Sequence, residues 1–268
     1  MKRYQFLISL LCVVVSWFWC QNSFPFDPDA PVQVISDIDD TIRIIHVNSY
    51  YQTVKNGLYS KSIFDGIKPL YSEFVKNGMG ILYLSGSPQS LQNSLETLLF
   101  NFHGLPRGKT LLNNWWEWKS SADFKRAQLN LILKDSKSNF ILIGDDTQSD
   151  PEVYAEFKSD ASSSKILKIY IHQVSGRPLP KEVVGFSTAF DIALKEGEEQ
   201  RLDVSQIVSV GQSILDNKNT NLLFPYFKFC PTHYESDLGE SIKLNQELIQ
   251  IATQMNSFIR NICIPKFN

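Results

Sequence analysis

Cysteine is scarce in this chain. Only four occur in 268 residues, and two of those fall in the first twenty, so a disulfide-dense scaffold is excluded. An excess of one charge is also missing: 26 lysines and arginines face 28 aspartates and glutamates, net −2, with no long basic run. A sequence-independent hold on nucleic acid needs such an excess, so nucleic acid is not an expected partner. His46, His103, His172 and His233 have no metal-ligand spacing, and no internal repeat is found. What is present is 43% hydrophobic and 12% aromatic residues, enough to build the core of a globular α/β protein.

The N-terminus reads as an address. Lys2 and Arg3 precede an almost unbroken apolar run from Phe6 to Cys20. As a helix that run would span roughly 22 Å, short of the roughly 30 Å hydrocarbon core of a bilayer. A positive start followed by a short apolar segment is the secretory signal pattern. Residues 1–23 are therefore expected to be a signal peptide or a retained membrane anchor, and the protein to be exported (secreted, periplasmic or anchored). Export would give Cys230 and Cys263 an oxidising environment, yet nothing in the sequence brings them together, and two separately buried thiols are the expectation.

Residues 24–31 are rich in proline, a linker that no helix would tolerate. From there, short apolar runs alternate with helical patterns. Val32–Ser36, Ile81–Leu84, Phe140–Ile143 and Ile166–Ile171 read as buried strands. Ile67–Asn77, Pro88–Phe100, Asp123–Lys134 and Pro151–Lys158 read as helices, with Ser87 capping a helix that starts at Pro88 and Ser120 capping the third. Strand–helix alternation predicts a Rossmann-like parallel sheet with helices on both faces, binding ligands beyond the carboxyl ends of its strands. After Val174 the pattern turns to helices only: Lys181–Lys195, Arg201–Leu215 and a long one near Glu240–Ile262. The apolar stripe of that last helix, Leu244 to Ile262, reads as packing on the same domain, with a partner seam as the sharper alternative. The expected organisation is a catalytic domain over 32–180 and a helical C-terminal extension over 181–268.

The chemistry gathers at strand ends. Val32-Gln-Val-Ile-Ser-Asp-Ile-Asp-Asp-Thr41 runs a buried strand straight into Asp37, Asp39 and Asp40. Carboxylates crowded at a strand tip repel, and a divalent cation relieves them. Strand alternation puts Asp37 and Asp39 on one side, which suits one as nucleophile and the other as proton donor. A second buried strand ends in Gly144-Asp145-Asp146 with Asp150 close behind. Hard oxygen ligands in that number favour Mg²⁺ completed by a substrate phosphate. A third strand ends in Ser85-Gly86-Ser87-Pro88, where a hydroxyl and free N–H groups suit a phosphate oxygen. Lys125 could add positive charge.

These motifs are similar, in the same order, to the four motifs of the haloacid-dehalogenase-like phosphohydrolases. The wording Ser-Asp-Ile-Asp-Asp-Thr-Ile, Leu-Ser-Gly-Ser-Pro, Phe-Lys-x-x-x-Leu and Ile-Gly-Asp-Asp-x-x-x-Asp-Pro-Glu-x-Tyr resembles the catalytic domain of the actin-patch-protein type phosphatidate phosphatases. The resemblance implies Asp37 as nucleophile forming an aspartyl-phosphate, and Asp39 as acid and then base. It implies Thr41, Ser85 and Gly86 on the phosphate and Lys125 screening the shared charge. Mg²⁺ would sit on Asp37, the Asp39 carbonyl and Asp145, with Asp146 sharing that role or Asp150 orienting Lys125. Lys119 is the alternative lysine.

A small cap, Ile44–Ser62, leaves room for a large substrate or a lipid head group. Trp115, Trp116 and Trp118 near the rim read as packing residues, with anchoring at a lipid–water boundary as the sharper alternative. The expected activity is a Mg²⁺-dependent phosphatase on a phosphomonoester, phosphatidate first, and possible partners include a phospholipid at a membrane surface. A soluble phosphomonoester, a phosphoprotein, phosphoryl transfer to another alcohol, and metal or phosphate binding without turnover remain as alternatives.

Overall fold

The structure, a computed structural model, describes residues 29–46, 61–118, 120–159 and 164–264. The signal or anchor segment, residues 24–28 of the linker, residues 47–60 of the cap and Lys119 lie outside them.

Six strands form one sheet in the order β3-β2-β1-β4-β5-β6, and every neighbouring pair is parallel. They are β1 (Val32–Ser36), β2 (Gly80–Pro88), β3 (Lys109–Asn113), β4 (Asn139–Asp145), β5 (Ile166–His172) and β6 (Val184–Phe186). The helices are α1 (Ile67–Lys76), α2 (Gln92–Glu96, continued by a wider turn to Phe102), α3 (Ser121–Asp135), α4 (Asp150–Ser159), α5 (Ala189–Glu198), α6 (Val204–Asp216) and α7 (Gln246–Cys263).

The strands are apolar on both sides because both sides are covered. Val34, Ile81, Tyr83, Ile141, Ile143 and Tyr170 face a core shared with α1, α5, α6 and α7. Alternate residues Ile35, Leu82, Leu84, Phe140, Leu142, Ile169 and Ile171 face a second core built on α3 and α4. Helix starts are locally encoded. Ser120 accepts the Asp123 N–H at 3.2 Å to open α3, and Asp203 with Gln206 forms a reciprocal cap on α6 at 2.9 and 3.0 Å.

Several expectations need correction. No helix starts at Pro88: β2 runs through it, and Ser87 turns its hydroxyl elsewhere. Proline signals a first helical turn and a strand end alike, since both spare its missing N–H. Two edge strands escaped the pattern, β3 with its exposed Lys109 and the three-residue β6 with Gly185 at its centre. β6 also means that the region after Val174 is not helical throughout, and the helix expected from Lys181 begins at Ala189. The last helix begins at Gln246, leaving Leu244 exposed before it, while Leu248, Ile251, Met255 and Ile259 are buried. That stripe packs on α6 within the same chain.

Cys230 and Cys263 are joined in a disulfide, not buried as separate thiols, with Cα atoms 5.2 Å apart. Packing of α7 returns Cys263 to the loop that holds Cys230, a juxtaposition that no local pattern announces.

Candidate active site

Parallel strands send all their carboxyl ends to one edge, and β1 and β4, the two acidic strands, are neighbours in the middle of the sheet. Asp37 follows β1 directly, its N–H bonded to the Ile143 carbonyl at 2.8 Å. The chain then turns sharply at Asp40, whose backbone is left-handed (φ 58°), a conformation aspartate tolerates better than most residues. The Asp40 carboxylate holds the turn by accepting the N–H groups of Ile45 and His46 at 2.9 and 2.8 Å. Its carbonyl accepts from His172 Nδ1 at 2.9 Å. Beyond the turn, Ile44 N–H bonds to Ser62 and Phe64 N–H to Ile42, at 3.1 and 2.8 Å, so the base of the cap insertion is closed.

Lys125, one turn into α3, is buried at the centre of the cluster. Its ammonium donates to Asp37 Oδ1 at 2.7 Å and to Asp150 Oδ1 at 2.5 Å. Asp145 stands beside them, accepting from Thr41 at 3.4 Å and from the Thr147 N–H at 2.7 Å. Gly144 is needed there: a Cβ on it would meet Asp150 Oδ2 at 2.5 Å. Asp39 sits nearer the mouth. Its Oδ1 accepts from Arg43 at 3.1 Å, and its Oδ2 from Ser87 at 2.6 Å and Ser85 at 3.3 Å.

The electrostatics follow from burial. Loss of water pushes the Asp37 carboxyl up to about 8, against the pull of Lys125, with Asp150 and Asp39 adding to the rise. Asp145 is held well above the usual carboxylate range by burial first, then by Asp150 and Asp37. Burial alone would lower the Lys125 ammonium, but Asp150 and Asp37 more than reverse that and leave it well above its ordinary value.

A hard divalent cation fits this set. Ligand oxygens of Asp37, Asp145 and Asp150 lie within 4.8 Å of one another. Three buried carboxylates outnumber the one buried ammonium, and the buried Asp150 Oδ2 has no hydrogen-bond partner. Oxygen-only donors and surplus negative charge are what such an ion selects.

A model of the family described as phosphatidate phosphatase APP1, catalytic domain, matches residues 32–173. The chain belongs to this family. Among proteins of curated function none matches it. The phosphatidate phosphatase APP1 catalytic domain is a phosphatase domain, and the matched stretch spans all four motifs and strands β1 to β5 of the haloacid-dehalogenase-like sheet.

Not every residue expected at the site of this APP1-type domain is there. Asp37, Lys125, Asp145 and Asp150 converge, with Thr41 against Asp145 and Ser85 against Asp39. Asp146 does not join the cluster, which corrects its expected place on the metal. Its carboxylate accepts the backbone N–H groups of Val174, Ser175 and Gly176 at 2.6–2.8 Å and so shapes the loop after β5. Asp150 is more central than its rank in the sequence suggested.

Sequence reasoning missed Arg43 and Ser87. An arginine four residues after Asp39 was a readable signal, while Ser87 was hidden by its resemblance to a helix cap. The expected packing of the tryptophans holds only for Trp118, which lies against the second core; Trp115 and Trp116 are 62% and 97% exposed.

Proposed function

We propose that this chain is a Mg²⁺-dependent phosphatidate phosphatase that works through an aspartyl-phosphate on Asp37. The observation that carries the reading is the Lys125 ammonium held between Asp37 and Asp150, beside Asp145, with Asp39 at the mouth. Asp37 and Asp145, with the Asp39 carbonyl, would hold the Mg²⁺; it would supply charge neutralisation of the phosphoryl oxygens.

The chain's own groups perform the rest. Asp37 attacks phosphorus in line, and the P–O bond to the leaving alcohol breaks. Lys125, fixed by Asp150, screens the charge shared by Asp37 and the incoming phosphate. Thr41, the Ser85 hydroxyl and the Gly86 N–H take phosphate oxygens. Asp39, once protonated, gives its proton to the departing oxygen and later takes one from the water that hydrolyses the aspartyl-phosphate. Ser87 holds that carboxyl toward the mouth, where the leaving alcohol departs.

Phosphatidate is the leading substrate because the family model carries that name and the cap between Ile44 and Ser62 is small. Export is part of the proposal: the N-terminal signal pattern and the Cys230–Cys263 disulfide both fit an oxidising compartment. Among the described residues no helix is long and apolar enough to cross a membrane.

The test is phosphate release from phosphatidate in mixed micelles and from a soluble aryl phosphate, with Mg²⁺ or EDTA and with Asp37→Asn as control. Metal-dependent release from phosphatidate, lost in the variant, is the expected result. Release from the soluble ester alone would discard the lipid, and silence on both would discard the enzyme reading for these substrates.

A further inference from the structure

Among the described residues the exposed aromatic side chains are Phe102, whose ring lies under the Lys61 ammonium, and Trp115, Trp116, Tyr226 and Phe229. Trp115 and Trp116 come two and three residues after Asn113, the last residue of β3. Because the strands are parallel, these indoles share the sheet edge that carries Asp37 and Asp145. Trp115 is tied to the site loop: its Nε1 donates to the Gly86 carbonyl at 3.2 Å, between the two serines that hold Asp39. An open cleft of about 560 Å³ separates the indoles from Pro88, Gln89 and Ser90.

A second aromatic group lies across the sheet. Tyr226 is 72% exposed and pairs its hydroxyl with His46 Nδ1 at 3.2 Å, just past the Asp40 turn. Phe229, also exposed, bonds its N–H to the Val174 carbonyl at 2.7 Å, and its ring lies against Gly176 in the loop after β5. The strand order places β1 and β4, with their carboxylates, between β3 and β5. The catalytic groups thus have exposed aromatics on either side along one edge.

We propose that this edge docks on the interfacial region of a phospholipid bilayer, with Trp115 and Trp116 as the principal anchors and Tyr226 and Phe229 as the opposite support. The proposal rests on the lipid-substrate reading above and deepens it, by naming the surface that delivers the substrate. Tryptophan and tyrosine combine an apolar ring with a polar atom and favour the level of lipid head groups. A phosphomonoester in a bilayer presents its phosphoryl group at that level. A planar partner touching both aromatic groups would bring the phosphate over the carboxylates between them, which a partner seated on the tryptophans alone would not do.

The test uses the full chain labelled with 5-fluorotryptophan, each fluorine resonance assigned by a Trp→Phe replacement. Phosphatidylcholine bicelles containing phosphatidate and a head-group spin label are then added. The resonances of Trp115 and Trp116 should broaden more than that of the partly buried Trp118. In parallel, Trp116→Ser should lower the ratio of phosphatidate turnover in vesicles to turnover of a dispersed short-chain phosphatidate about tenfold.

Unchanged widths at both indoles would overturn the proposal whatever the substrate. So would sharp indoles in a chain that sediments as a dimer through this patch. Broadened indoles in a protein that releases no phosphate from phosphatidate would uphold the docking surface and sink the substrate reading separately.

Discussion

Asp150 reaches from the first turn of α4 to Lys125 on α3 and holds its ammonium at 2.5 Å, while the same ammonium holds Asp37 at 2.7 Å. The nucleophile candidate is therefore positioned through a buried relay that begins on another helix. Asp150→Asn leaves the ammonium paired with Asp37 and removes one of the carboxylates that repel it. The urea midpoint should therefore change little, while most of the turnover should be lost because Lys125 is no longer fixed from α4.

Asp37→Asn should abolish phosphate release while keeping the fold, because the amide matches the carboxylate in size. Phosphate release with far-ultraviolet circular dichroism checks this. Substantial residual turnover would remove Asp37 from the nucleophile role.

Ser87→Ala should lower kcat about tenfold with little change in KM, a fraction of the roughly 10²–10⁴-fold that a general acid contributes, because Asp39 stays in place and only its orientation is loosened. Ser87 touches Asp39 at 2.6 Å and not the phosphate positions assigned above. The loss should shrink for an aryl phosphate, whose leaving group departs without a proton. An equal loss on alkyl and aryl esters would refute the link between Ser87 and the acid.

Stability of the metal-free protein should fall as pH rises. Asp37 titrates near 3.8 when unfolded and near 8 when folded. Between those values the folded chain keeps a proton that the unfolded chain has lost, so the stabilisation present below pH 4 disappears towards pH 8. Urea midpoints in EDTA across that window test the sign. Mg²⁺ should reverse the trend, since its ligands must be deprotonated and its binding strengthens as they become so. Ca²⁺, larger and looser in geometry, should bind and inhibit.

The Cys230–Cys263 link closes a loop across 33 positions. Chain-entropy reasoning assigns such a loop about 3–4 kcal/mol. A Cys230→Ser, Cys263→Ser double variant should lose that much in denaturant unfolding. Treatment with dithiothreitol should shift the wild type and leave the double variant unmoved.

What the sequence made legible was the chemistry at strand tips. Asp37, Asp145 and Lys125 stand out because carboxylates and a lysine recur at fixed places relative to buried strands. It could not separate Asp145 from Asp146: adjacent residues at a strand tip point opposite ways, and only the Val174–Gly176 backbone shows which one is engaged elsewhere. The Ser87-Pro88 pair carried two meanings, and the serine bonded to Asp39 was read as a cap. β3 and β6 are short edge strands whose few residues set no period. Trp115 and Trp116 had the composition of a core and the position of a rim, which three-dimensional exposure alone distinguishes.

The closed base of the cap insertion has an evolutionary consequence. Backbone hydrogen bonds already hold Ile42–Ile44 to Ser62–Phe64, so the sheet does not depend on the length or content of what joins them. Loop-closure entropy grows only slowly with length. Exchanging the segment between Ile44 and Ser62 is therefore expected to leave the carboxylates beneath in register, as a tool head is changed on a fixed handle.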